Sequence, residues 1–333
     1  VTTLTIGACL SLSGKHARFG RQARLGLEIW HASNSNGLNL VIEDDRSDPA
    51  VLRTSLRGLS DRCDILLGPY STQLMRGAGD IAAELGRLIW NHGGSGDDVE
   101  AAHPGHVVSI LTPTSRYAEP FLRRLAGTEA LPVRIVCGKG GFGRQVAAGA
   151  ETIARSLGID TVRIGPGDDL PQTSEGAWAL LCAGAFEEDV ETIRRARSLP
   201  TPPRVVCAVA AGVREFGQAL DDPHGVYGVG QWFPGTGASA ETGIGESDFL
   251  AVYQEHAGVL PDYPAVQAVA AAIIATRCAA VAGGTGRDAL WSAAASLETT
   301  TLFGAFRIDP RTGTQVGHRP VLIRWEAGGP VVV

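Results

Sequence analysis

Short apolar runs alternate with segments of helical periodicity along most of the 333 residues, and they do so in two successive series. This alternation constrains the fold more than any other feature. Repeated βα units build a parallel sheet covered by helices on both faces, and two series build two lobes. The expected fold class is therefore α/β, with two αβα lobes on parallel sheets. A chain of this length suits two domains and can bury a large core.

The first series opens with a strand over Thr3–Leu10 and a turn at Leu12-Ser13-Gly14. A helix follows over about 19–33, with Ala23, Leu27 and Trp30 on its inner face. Leu40-Val41-Ile42 is the second strand, and Asp48-Pro49 caps a helix carrying Leu52, Leu56 and Leu59. Strands at 65–67, 88–90 and 107–111 complete the series, with a helix ending at Gly86 between the first two. The second series runs helix 115–125, strand 133–137, a Gly-rich turn at 138–143 and a helix to about Leu157. Strands then recur at 162–164, 178–182, 204–207 and 226–229, with helices at 187–197 and 212–220. A Gly/Ser/Thr-rich loop at 234–247 leads to helices at about 246–257, 263–282 and 287–296, which pack back onto one lobe. The tail from Ala305 to Trp325 reads as a β-hairpin around Pro310-Arg311-Thr312-Gly313.

Charge and cysteine usage narrow the function classes. The net charge of −6 and the absence of a Lys/Arg-rich run argue against a nucleic-acid surface. The apolar stretch Ala265–Ala282 is interrupted by Gln267 and Arg277 and reads as a buried helix rather than a membrane span. Val1 leads directly into the first strand, so no signal peptide is expected within this sequence. None of the six cysteines forms a C-x-x-C pair, which speaks against a zinc or redox motif. Cys9, Cys137, Cys182 and Cys207 sit in strand-like runs as small buried hydrophobes. No disulfide framework is expected, a mild lean towards a reducing history.

Candidate chemistry gathers in loops that follow strands, since ligands of open parallel sheets bind beyond the strands' carboxyl ends. Gly68-Pro69-Tyr70-Ser71-Thr72 passes from a strand into a helix and offers hydroxyls and backbone N–H groups at a helix N-terminus, a place for a carboxylate. Its plain alternative is a turn whose Ser or Thr caps its own helix. Asn91-His92-Gly93-Gly94-Ser95, 138–143, 183–187 and 208–212 are the companion loops. They are rich in Gly, hydroxyls and aromatics and poor in the acid/base sets of an enzyme. Gly138-Lys139-Gly140-Gly141-Phe142-Gly143 matches the dinucleotide pattern G-x-G-x-x-G, but the next strand ends Ile164-Gly165-Pro166 without the acidic residue that pattern wants. His103 and His106 read as solvated loop residues, and no nucleophile elbow is present. Glu43-Asp44-Asp45 reads as a solvated strand end, with a cation site as alternative; Glu187-Glu188-Asp189 charges the first turn of a helix.

The order and spacing of these motifs resemble the type I periplasmic binding proteins of the branched-chain amino-acid (Leu/Ile/Val) ABC-importer group. The resemblance covers nearly the whole chain. It is carried by Ile6-Gly7, Leu12-Ser13-Gly14, Phe19-Gly20 and Gly26, by Glu43-Asp44-Asp45 with Asp48-Pro49, by Gly68–Thr72, by Phe142-Gly143 and by Phe303-Gly304 with Asp309 and Gly313. It implies two lobes joined by three crossover segments, 1–112 plus 236–315 and 113–235 plus 316–333, that trap a solute on hinge closure. It implies no enzymatic activity, no cofactor and no metal. It further implies an extracytoplasmic monomer that serves an ABC permease, with a cytosolic ligand sensor of the same fold and a nucleotide-dependent enzyme as alternatives. Carried over, Thr72, Gly93 and Ser95 hold the ligand carboxylate, in the company of Tyr70, Ser71, His92 and Gly94. Phe19 lines one side; Phe142 closes from the other lobe; Ala185-Phe186 stands where the family offers another aromatic. Two departures are visible. Ala208-Val209-Ala210-Ala211-Gly212 has no acid where the family often pairs a Glu with the ligand ammonium, so the expected solute is a carboxylate or amide in which an α-amino group is not assured. Ser47 and Ser71 stand where some members have a disulfide.

Overall fold

The computed structural model describes residues 3–236 and 239–333; positions 237–238, inside the loop expected over 234–247, and positions 1–2 lie outside the described residues. In chain order the elements are β1 (Leu4–Leu10), α1 (Ala17–Ala32), β2 (Leu38–Asp44), α2 (Pro49–Arg62), β3 (Ile65–Leu67), α3 (Thr72–Glu84), β4 (Ile89–Asn91) and β5 (Val107–Ser109). There follow α4 (Glu119–Thr128), β6 (Val133–Cys137), α5 (Gly141–Ser156), β7 (Thr161–Ile164), β8 (Ala179–Ala183), α6 (Phe186–Arg197), β9 (Val205–Ala208), α7 (Phe216–Ala219) and β10 (Tyr227–Gly230). The last are α8 (Glu246–Ala257), α9 (Tyr263–Ala282), α10 (Arg287–Ser296), β11 (Thr299–Thr301), β12 (Gly304–Phe306), β13 (Val321–Glu326) and β14 (Gly329–Val332).

Two compact units result, Val1–Thr112 with Gly237–Arg319 and Pro113–Thr236 with Pro320–Val333, so the chain passes from one to the other three times. In the first unit five strands lie in the order β2-β1-β3-β4-β5, all parallel. Cys9, Leu66, Ile89 and Val107 bury one face of the sheet against Leu52, Leu56 and Leu59 of α2 and Leu74 and Ile81 of α3. Each fully buried leucine contributes about 2 kcal/mol. Strand alternation turns Leu67 and Trp90 to the opposite face. On α1, Gly26 lets α9 approach: a Cβ there would stand 2.9 Å from the Ala265 carbonyl. The α2 start is as expected, with Asp48 accepting from the N–H groups of Ala50 at 2.7 Å and Val51 at 3.0 Å.

In the second unit the order is β14-β13-β10-β9-β8-β6-β7, parallel through β6–β10 and antiparallel at β13 and β14. Phe121, Leu125, Ile135, Ala147 and Leu181 fill one face. Trp178, Leu180, Ile193 and Phe216 fill the other.

Two elements differ from the sequence reading. The 309–313 turn forms, with Gly313 N–H bonding the Asp309 carbonyl at 2.8 Å and a bridge between Ile308 and Gln315. Its arms do not zip into one hairpin: β12 pairs with β11, and β13 pairs with β10 and β14. The chain changes unit after Arg319, which takes the second arm away from the first. The helix expected over 212–220 shrinks to α7 because Gly212 packs under the Val229 carbonyl and Val213 is extended, with φ −124°. The long apolar helix α9 meets the length and composition of a membrane span, yet 72% of its apolar window is buried inside the protein. All six cysteines are free and buried, and burial pushes the Cys278 thiol up to about 12.

Candidate functional site

The loops 68–72 and 91–96 of the first unit are built as one block. Gly68 N–H donates to the Trp90 carbonyl at 2.8 Å, and Ser71 N–H donates to the Gly93 carbonyl at 3.0 Å. Gly96 N–H donates to Thr72 Oγ1 at 3.0 Å. The glycines exist for this contact. A Cβ on Gly93 would lie 2.6 Å from Tyr70 Cα and 2.7 Å from the Pro69 carbonyl oxygen; one on Gly94 would lie 2.5 Å from Met75 Cβ; one on Gly96 would overlap Thr72.

Within the block the roles divide. Ser71, at φ +84°, is the N-cap of α3, and its hydroxyl accepts from Leu74 N–H at 3.3 Å. The plain capping role therefore falls to Ser71, not Thr72. Thr72 is the first residue of α3, and no described residue accepts its N–H, which points out of the helix end with the positive pole of the macrodipole. Tyr70, Ser71, Thr72, Gly93 and Ser95 are half-buried and form a rim; His92 and Gly94 are buried beneath it. His92 is thus not a rim residue. Its ring bonds the Gly68 backbone, and burial pushes its pKa down to about 4, so it is neutral at physiological pH. The Gly93 and Gly94 N–H groups also turn inward, bonding Asn91 Oδ1 at 3.2 Å and 2.8 Å.

Beside the rim stands an aromatic wall. Phe19 stacks on Tyr70 with ring centroids 4.4 Å apart and 14° between planes. The Tyr70 and Tyr263 hydroxyls are 2.6 Å apart, and His16 tilts against Tyr70 at 5.7 Å. Tyr263 opens α9, some two hundred residues downstream of Phe19 and Tyr70. The Asp262-Tyr263-Pro264 helix start gave no hint that it belongs here, and His16 was equally silent.

Of the acidic strand end 43–45, Glu43 and Asp44 remain half-exposed as expected, whereas Asp45 is buried, and both aspartates are tied to the preceding loop. Asp44 accepts from the N–H groups of Leu12 at 2.8 Å and Ser13 at 3.2 Å and from the Ser13 hydroxyl at 2.6 Å. Burial opposes ionisation of Asp44, but these bonds hold its carboxyl below the usual range. Asp45, fully buried, accepts from Ser11 Oγ at 2.7 Å and Ser47 N–H at 2.7 Å. The pair locks the loop that delivers Phe19. Ser47 joins in, donating to the Ser13 carbonyl at 2.7 Å.

In the second unit Phe142 sits in the first turn of α5 and meets Tyr117 edge-on at 5.5 Å. Ala185 is exposed at the start of α6, whereas Phe186 packs into the cluster of Trp178, Ile193 and Phe216. Phe142 instead packs with Tyr117, Val146 and Ala183. Ala183 alternates with Cys182 along β8, so the sheet separates the two phenylalanines, and they do not form one aromatic face. The fingerprint glycines at 138–143 serve packing: a Cβ on Gly138 would meet Glu188 Oε2 and Gly184 Cα at 2.5 Å each, one on Gly143 would overlap the Ala183 carbonyl, and Gly140 has open space. A carboxylate over Gly138 is the wrong neighbour for a phosphate. Asp189, expected only to charge a first turn, is buried and accepts from Gly184 N–H at 2.8 Å and Ala210 N–H at 3.0 Å. Desolvation raises it to about 7. No group of three or more His, Cys, Asp or Glu suited to a metal occurs among the described residues.

The family model described as periplasmic binding protein matches residues 3–330. The chain belongs to the periplasmic binding protein family. Its fold is the type I fold of that family, two mainly parallel sheets flanked by helices. Solved structures agree in fold. This periplasmic binding protein is similar to a leucine binding protein, LivK, from Thermotoga maritima MSB8, with TM-score 0.80 and 17% identity over 99% of this chain and 98% of that one. It is similar to a putative branched-chain amino acid ABC transporter from Rhodospirillum rubrum, with TM-score 0.80 and 20% identity over 99% and 100% of the two chains. A solute binding protein of an ABC transporter from Rhodopseudomonas palustris BisB5, in complex with 3,4-dihydroxybenzoic acid, has TM-score 0.79 and 15% identity over 99% and 95%. A search of curated proteins finds no match.

Proposed function

We propose that this periplasmic binding protein captures a small carboxylate with an apolar or aromatic body and no α-ammonium group, outside the cytoplasm, for an ABC importer. The observation that carries the reading is the rim itself: Thr72 N–H at a helix start, half-buried Ser95, and the Phe19–Tyr70–Tyr263 wall beside them. An N–H at a helix end and hydroxyls suit an anion; stacked rings suit an apolar body. The absence of an acid at 208–212 leaves an ammonium without the partner the family often provides there. Among relatives, structures with benzoate and with 3,4-dihydroxybenzoate share the fold. The test is calorimetric titration with benzoate, 4-methylpentanoate and leucine. The reading expects the first two to bind, with at least tenfold loss in Thr72→Pro, which removes the N–H at a first helical position that accepts proline, about the worth of one charge-assisted hydrogen bond, and a smaller loss in Thr72→Ala, which keeps the N–H. Leucine binding tighter than 4-methylpentanoate, which differs by the missing ammonium, refutes it.

A further inference from the structure

Below the rim a buried carboxyl closes a hydrogen-bond relay. Glu100 is 3% exposed; its Oε1 accepts from Ser109 Oγ, and no described group bonds Oε2. Ser109 Oγ in turn accepts from Asn91 Nδ2 at 2.7 Å. The same Asn91 amide donates to the Gly94 carbonyl at 2.7 Å, while its Oδ1 takes the Gly93 and Gly94 N–H groups. The donors all point one way, from Asn91 N–H to Ser109 O–H to Glu100. An ionised Glu100 claims the Ser109 proton and leaves Ser109 only an acceptor for Asn91, which fixes which end of the amide faces Gly93 and Gly94.

We propose that Glu100 is a positioning residue of the solute rim: through Ser109 and Asn91 it sets the bend of residues 93–95, and it takes up a proton when an anion binds there. The inference rests on the rim being the carboxylate site. The carboxyl is poised for this, because desolvation raises it to about 7. Of the charges around it, Asp97 and Asp98 on its own turn push the same way. Asp98 is held by Arg76 of α3 through two bonds of 2.8 Å, and Asp80 of α3 pairs with His103 at 2.6 Å. Neighbouring β5 and β4 present only Ser109 and Asn91, and Arg311 of the 309–313 turn is occupied by Asp309 at 3.0 Å. An anion at the rim and an ionised Glu100 are like charges in a poorly solvated region, so each disfavours the other. By reciprocity, protonation tightens anion binding and binding draws in a proton.

The experiment has two arms. In the first, the ¹⁵N–¹H resonances of Gly93 and Gly94 are followed from pH 5.5 to 8.5 without ligand, in the whole chain. They are expected to titrate near pH 7 and to stop doing so in Glu100→Gln; Glu100→Asp, which keeps an ionisable group, restores a titration. In the second, benzoate is titrated calorimetrically at pH 6 and pH 8. Affinity is expected to be about fivefold higher at pH 6, a typical coupling factor, and pH-independent in Glu100→Gln. Amides that do not titrate, or titrate equally in Glu100→Gln, overturn the proposal whatever binds. Benzoate affinity that ignores pH in the wild type overturns the proton coupling. If no carboxylate binds at either pH while the amides titrate through Glu100, the carboxylate reading of the rim fails and the coupling falls with it, but the relay stands.

Discussion

Replacing Gly93 by Ala puts a methyl group into the seam between the two rim loops. Its Cβ would stand 2.6 Å from Tyr70 Cα and 2.7 Å from the Pro69 carbonyl oxygen, both backbone atoms. Ordinary contact distances for such atoms are about 3.5 Å, so loop 69–70 must retreat by nearly an ångström. That retreat strains the 3.0 Å bond from Ser71 N–H to the Gly93 carbonyl. It also strains the 3.0 Å bond from Gly96 N–H to Thr72 Oγ1. Overpacking costs about 1–3 kcal/mol and each of the two weakened bonds about 1 kcal/mol, so the total is about 3–5 kcal/mol. The control is Gly77→Ala in α3, where the nearest atom to a new Cβ is Leu52 Cδ2 at 3.9 Å. Removing a glycine from a helix interior there stabilises by about 0.5–1 kcal/mol. Urea unfolding followed by tryptophan fluorescence reads both variants. Trp90, the buried central residue of β4 beneath this seam, reports on the first unit. The expected pattern is a lower midpoint for Gly93→Ala and a higher one for Gly77→Ala, with unchanged slopes. A Gly93→Ala loss below about 0.5 kcal/mol would show that the loops slide freely, and the account of the rim as one rigid block would be wrong.

Other outcomes follow from the same geometry. Asp189→Ala leaves the buried N–H groups of Gly184 and Ala210 without an acceptor and is expected to cost about 2–5 kcal/mol in urea unfolding; a loss under 1 kcal/mol contradicts that role. The Glu100 carboxyl is raised from 4.5 to about 7 in the fold, so the folded state binds its proton more tightly. That contribution is fully present below about pH 4.5 and is lost as pH rises through about 7, some 3 kcal/mol in all. Glu100→Gln should therefore lower stability least at pH 8 and flatten the decline between pH 5 and 8; an unchanged slope counts against the buried carboxyl. Tyr263→Phe removes the 2.6 Å hydroxyl contact to Tyr70 and should cost about 1 kcal/mol and weaken benzoate binding, whereas equal benzoate affinity places Tyr263 outside the site.

Periodicity and turn chemistry alone specified much of the architecture. Leu52, Leu56 and Leu59 at helical spacing after Asp48-Pro49 could only be an amphipathic helix, because the cap and the apolar stripe are both local signals. The strand–Gly–Pro–Ser–Thr–helix passage at 65–74 was legible for the same reason, and so was the parallel two-series plan. Residue types also showed that an anion site was chemically available at Thr72. They did not show that Ser71 takes the capping bond, because neighbouring hydroxyls compete for one N–H and backbone geometry chooses between them. They could not show that His92 is buried and that Asn91 does the binding of the loop, since both lie in one short run and differ only in the direction they point. Burial likewise separates Asp45 from the solvated strand end its charge suggested, and hydrogen bonds to Leu12 and Ser13 tie half-exposed Asp44 to the same loop.

What the sequence by itself determined is the set of local units and their order: strands from apolar runs, helices from spacing and caps, sharp turns from glycine. What only the tertiary structure decided is which units meet. Phe19, Tyr70 and Tyr263 share a wall, and Glu100 reaches Gly94 through Ser109 and Asn91, because sheet order and helix packing bring distant segments within hydrogen-bond and van der Waals reach. Such contacts depend on short-range forces acting across the fold, and short-range forces leave no periodic trace along the chain.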